Sequence, residues 1–152
     1  MGNIKPKQIV WLLPFAYLLH LCDEYFSGEG FAKWFSGLFE VSLSINDFII
    51  INLFGFAATL LIAILYSFKR INNFIIAALA ALFFVNGLIH LAASIFTLSY
   101  SPGTITGVIL YLPLGVLIFK NIFPLLPEEQ RSLSVFTGAA IQILVAVIAL
   151  SI

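Results

Sequence analysis

Residues 9–25 read IVWLLPFAYLLHLCDEY, an apolar run that closes on an imidazole, His20, and two adjacent carboxylates, Asp23 and Glu24. How this run is read decides the fold. In a soluble domain it would be a core helix, and the rest of the chain would have to hide it from water. The rest of the chain is no more polar: 62% of the 152 residues are apolar and only 9% are charged, against roughly 45–50% and about 25% in an average soluble domain. Seven basic and seven acidic side chains cannot cover a water-soluble body of this size. Lipid wetting most of the surface makes the composition sensible, because each spanning helix needs about 20 mainly apolar residues. The run is therefore read as a first membrane span.

Working outward, this span covers residues 8–26 and contains Pro14, whose missing amide leaves the carbonyl of Val10 without its partner and predicts a bend. Lys5 and Lys7 before an apolar stretch imitate a secretory leader, but no small-x-small cleavage pattern follows residues 19–22, so the segment is read as retained. Residues 27–44, SGEGFAKWFSGLFEVSLS, are too broken to span; the aromatics of residues 31–39 suit the headgroup level and predict an interfacial helix. Ser44 with Asp47 three residues on resembles a capping box opening a second span over residues 45–68. A third span follows over residues 74–97, and a Pro-Gly turn over residues 99–103. The fourth, residues 104–119, carries Pro113 and ends at Lys120 and Asn121. FPLLPEEQR, residues 123–131, reads as a linker, and the last span begins at Leu133. The predicted fold class is all-α: one integral membrane domain over residues 1–152, a polytopic helical bundle of about five transmembrane helices and one interfacial helix.

Net charge is formally zero and no basic stripe is present, which excludes nucleic acid as the expected partner. The single cysteine, Cys22, excludes an internal disulfide or a Cys-based metal cluster, and is read as a small buried hydrophobe. With five spans, Lys5, Lys7, Lys69, Arg70, Lys120 and Arg131 fall on one side and Lys33 alone on the other. Cytoplasmic loops hold the excess of basic residues, so the N-terminus is expected in the cytoplasm and the C-terminus outside, in a plasma or inner membrane.

Depth then singles out a layer. His20 lies about six residues inside its exit, roughly 9 Å, and His90 and Asn52 lie about seven residues from the same face, roughly 10 Å. Tyr17, His20 and Glu24 share one helix face, as do Asn86, His90 and Ser94. His20 and Glu24, one turn apart, can present a nitrogen and an oxygen to one point, and His90 a second nitrogen. Such a mixed site suits a divalent transition metal, zinc, iron or manganese. Asp23, rotated about 100° from Glu24, can orient an imidazole or serve as a general base toward water.

The leading expectation is a membrane-embedded metal-dependent hydrolase acting on a membrane lipid or lipid-linked substrate at the non-cytoplasmic leaflet. His20, Asp23 and Glu24 are its candidate catalytic residues and His20, Glu24 and His90 its metal ligands. Asn52, Asn86, Tyr17, Tyr100 and Thr104 are its candidate substrate contacts. The same residues also permit a metal-free proton-holding pair, an ion- or proton-coupled carrier component, or a scaffold whose buried polar groups specify packing or a partner, with Asn86 as interhelix glue. No Gly-x-Ser-x-Gly nucleophile elbow and no phosphate loop is present.

His20-x-x-Asp23-Glu24 at the end of a first span, Asn86-x-x-x-His90, and the turn from Tyr100 through Ser101, Pro102 and Gly103 to Thr104 together resemble the small integral membrane proteins of the HXXEE-motif family, of uncharacterised function. The histidine maps to His20 and the second glutamate to Glu24; Asp23 replaces the first, one methylene shorter. The resemblance implies that these positions form a shared site, and it implies no reaction.

Overall fold

The computed structural model describes residues 6–152, and among them all regular secondary structure is helical. Helix α1, Pro6–Phe26, is interrupted at Trp11, within a turn of the unpaired Val10 carbonyl that Pro14 predicts. The Trp11 indole donates to Ser67 Oγ at 3.0 Å and Lys7 Nζ to the Ser67 carbonyl at 2.7 Å, tying the start of α1 to the end of the second predicted span. A turn with Gly28 and Gly30 at positive φ leads into the short α2, Phe31–Phe39, which buries Ala32 and Phe35 and leaves Lys33 and Phe39 outside. Helix α3, Ile45–Ser67, starts where Ser44 Oγ accepts the amide of Asp47, as the sequence predicts. Asn72 caps α4, Asn73–Thr97, in the same way.

Helix α5, Thr104–Leu125, changes character along its length. One α-turn, Thr104–Thr106, widens into a π-helical stretch, Gly107–Tyr111, before α geometry resumes at Leu112–Ile122 and tightens to 3-10 at Phe123–Leu125. The wide turn lies directly before Pro113, which has no amide to give the preceding turn. Lys120 and Asn121 thus lie inside the helix rather than at its end. Helix α6, Glu128–Leu150, begins five residues before the predicted Leu133, because Glu128 and Glu129 make a favourable first turn after Pro127 rather than a linker.

The most buried helix is α4, packed against α5 and α6. Its small side chains make this possible: Ala78 and Ala81 sit so close to Gly138 of α6 that any Cβ there would strike the Ala78 carbonyl. Five helices are long and apolar enough to cross a membrane, and outward-facing Phe54, Phe96 and Phe136 are each more than 70% exposed, a surface suited to lipid rather than water. Cys22 corrects an expectation: it is exposed, two residues and so about 200° around α1 from the inward His20.

The bundle is electrically lopsided. The end where α1 starts carries Lys7, Lys69, Arg70, Lys120 and Arg131 against Glu128 and Glu129; the other end carries Lys33 against Asp23, Glu24, Glu29, Glu40 and Asp47. Lys5, counted with the first group from sequence, lies outside the described residues.

Candidate metal centre

At the acidic end, α1 and α4 turn three side chains to one point. The His20 and His90 rings lie edge to face with centroids 5.0 Å apart. Glu24 Oε1 is 3.6 Å from His20 Nε2 and 3.2 Å from His90 Nε2. One ligand atom from each residue lies within 4.8 Å of the other two, and all three residues are no more than 5% exposed. Ligands about 2 Å from a tetrahedral ion are about 3.3 Å from one another, so both nitrogen–oxygen spacings already have the size an ion requires. Although buried, His20 Nε2 has no hydrogen-bond partner, a costly state unless something binds it.

The other ring nitrogens are held by hydroxyls. His20 Nδ1 is 2.8 Å from Thr106 Oγ1, whose own proton goes to Asp23 Oδ2 at 2.8 Å. With that proton committed to a carboxylate, the imidazole must be the donor at Nδ1, which leaves the lone pair on Nε2 facing Glu24. His90 Nδ1 lies 3.3 Å from Ser101 Oγ, a fully buried side chain. Tyr111 stacks on His20 with centroids 4.2 Å apart, and Phe31 of α2 lies against His90 at 5.4 Å. This is the arrangement expected of metal-binding histidines, whose second nitrogen is fixed by a polar neighbour.

Gly103 closes the site. It sits at φ 96°, and a Cβ there would come within 2.8 Å of His90 Cε1, 2.9 Å of Glu24 Cγ and 3.0 Å of His20 Cε1. The turn backbone therefore rests on all three candidate ligands at once.

Both carboxylate oxygens of Asp23 are engaged in hydrogen bonds. Its Oδ1 accepts from Ser27 Oγ at 2.6 Å and Tyr100 Oη at 2.7 Å; its Oδ2 accepts from Thr106 N at 2.9 Å and Thr106 Oγ1 at 2.8 Å. These four bonds clamp the end of α1 to the turn and to the first turn of α5. Burial, and then the bond to Asp23, push the Tyr100 phenol above its ordinary pKa, so it remains a donor at neutral pH. Thr104 Oγ1, with the Ser101 carbonyl at 2.7 Å, the His90 carbonyl at 3.1 Å and Ser94 Oγ at 2.7 Å, pins the turn to α4.

The remaining candidates stand apart. Tyr17 Oη donates to Asn52 Oδ1 at 3.0 Å, and Asn52 Nδ2 to the Phe48 carbonyl at 3.0 Å, a self-contained link between α1 and α3. Tyr17→Phe is accordingly expected to cost about 0.6 kcal/mol, the average for such bonds in membranes, with metal content unchanged. Asn86, one turn before His90, keeps a buried Oδ1 with no partner.

Sequence reasoning missed Thr106, and it joined Ser101 and Gly103 to the site only through the resemblance of the turn, with no role for either. The signal was present: hydroxyls crowding a Pro-Gly turn at the mouth of a span. Thr106→Val is expected to weaken metal binding about 10–100-fold, the usual range for such supporting residues, while Thr106→Ser retains it; competition with a chromogenic chelator measures both.

A family model described as "Protein of unknown function with HXXEE motif" matches residues 11–118. The match takes in His20, Glu24 and His90 as well as the turn that covers them. No curated protein and no solved structure shows significant similarity to the chain.

Proposed function

The chain belongs to the HXXEE-motif family, and from the centre that its motif residues build we propose that it is a membrane-embedded metal-dependent hydrolase of a lipid or lipid-linked substrate. The observation that carries this reading is the meeting, from two spans, of two imidazole Nε2 atoms and one carboxylate, buried, with one nitrogen unsatisfied. His20, His90 and Glu24 would hold the ion. Two histidines and a glutamate suit zinc, iron or manganese and leave a coordination position open, as catalytic rather than structural zinc sites do. Such an ion polarises a carbonyl or phosphoryl oxygen and activates water at neutral pH.

The chain's own residues supply the rest. Asp23, through Thr106, favours the ligating tautomer of His20, and Ser101 holds the His90 ring at Nδ1. Phe31 places the interfacial helix against His90, which favours a substrate arriving along the membrane surface. The cation-rich opposite end favours a centre toward the non-cytoplasmic leaflet, because cytoplasmic loops hold the excess of basic residues. A through-going ion route has less support, because behind His20 the core is Tyr111, Phe83, Leu13 and Ile76.

A second reading has its own observation. At 3.2 Å, Glu24 can accept a hydrogen bond from His90 with no metal present, making a buried packing device in a scaffold. Metal analysis by inductively coupled plasma mass spectrometry, on protein purified in mild detergent, separates the two. The hydrolase reading expects about one ion per chain, and lipid cleavage followed by mass spectrometry that stops on chelation and returns on reloading. Metal-free protein of unchanged stability sinks it in favour of the scaffold.

A further inference from the structure

At the end of the bundle away from the metal centre, α5 and α6 border a depression of about 550 Å³ lined by Val116, Phe119, Lys120, Phe123, Pro124 and Arg131. Its lining is of two kinds. Val116, Phe119 and Phe123 form an apolar wall along α5, the two phenylalanines with ring centroids 4.7 Å apart. Lys120 and Arg131 bring two cations to the same hollow. Among the described residues neither has a carboxylate within 4.0 Å, although Glu128 precedes Arg131 by one turn. Arg131 spends its Nε on the Leu126 carbonyl at 3.2 Å, which leaves its terminal nitrogens available, and the Lys120 ammonium donates to no described protein group.

We propose that this depression binds an anionic phospholipid, with the phosphate between Lys120 and Arg131 and an acyl chain along Val116, Phe119 and Phe123. Position favours it: Lys120 lies near the close of spanning helix α5 and Arg131 is the fourth residue of α6, so both cations sit at headgroup level. Charge favours it as well, since this end holds five cations against two carboxylates among the described residues, and a guanidinium fork matches two phosphate oxygens. Free phosphate would satisfy the cations and leave the apolar wall uncovered. A zwitterionic lipid would cover the wall but bring its own ammonium to two others. Basic hollows between spans hold acidic headgroups for these reasons.

The test uses the whole purified chain in micelles containing equal amounts of phosphatidylglycerol and phosphatidylcholine, read by native mass spectrometry. The expected result is one retained phosphatidylglycerol in clear preference to phosphatidylcholine. Lys120→Gln weakens retention about fivefold, and Lys120→Gln with Arg131→Gln about 25-fold, at the usual contribution of one interfacial cation. Arg131→Lys, which keeps the charge, and Lys33→Gln at the other end keep the preference. Equal retention of the two lipids, or undiminished retention in the double variant, overturns the proposal. So does release of the lipid by inorganic phosphate at equimolar concentration, which would mark a phosphate site. None of these outcomes depends on the metal centre.

Discussion

Glu24→Ala is expected to abolish metal binding at the candidate centre and to loosen the helices around it. Glu24 is the only carboxylate among the three candidate ligands, and it is 5% exposed. Without it, two imidazoles face each other with centroids 5.0 Å apart and no anion between them. Losing a ligand should reduce metal affinity well beyond the roughly 10–100-fold attached to a supporting residue. Removing one partner of a buried charged set also costs about 3–5 kcal/mol of stability. Glu24→Gln separates the two effects: it keeps the volume and an acceptor oxygen but not the charge, so metal is lost with a smaller fall in stability. Metal content and thermal unfolding in one detergent measure both. Glu24→Ala protein that keeps metal at the wild-type ratio removes Glu24 from the centre.

Gly103→Ala should do comparable damage without touching a ligand. A left-handed conformation costs a residue with a Cβ about 1–2 kcal/mol, and overpacking adds about 1–3 kcal/mol. Here the added methyl presses on His20, Glu24 and His90 together, so the expected loss is about 3–4 kcal/mol with metal binding impaired as well. Gly37→Ala is the control. That glycine lies within α2 with nothing within 4 Å of a new Cβ, and the change should stabilise slightly, by about 0.5–1 kcal/mol. Equal behaviour of the two variants would show that the turn does not bear on the centre.

The spans were legible because lipid imposes long apolar runs, and the shared height of His20 and His90 because helical rise is fixed. Height is not direction. Asn52 has the same depth, yet its partner is Tyr17; Cys22 sits two residues from His20 and faces out. The hydroxyl support was hidden for a sharper reason. Thr106 and Tyr111 both touch His20, yet five residues apart on an α-helix they would stand about 140° from each other. The π-helical stretch between them brings both to the same imidazole, and no period of 3.6 reveals that. Asp23 was ambiguous in the sequence because its role depends on three partners, Ser27, Tyr100 and Thr106, from different parts of the chain.

The cover over the centre also governs time. Gly103 rests on all three candidate ligand residues and Phe31 lies against His90, so the route to the point where they meet is narrow, and the clamp of Asp23 on Tyr100 and Thr106 holds its rim. If an ion is bound there, loosening the rim with Tyr100→Phe is expected to quicken its removal by a chelator more than it lowers the affinity, since Tyr100 touches Asp23 and none of the candidate ligands.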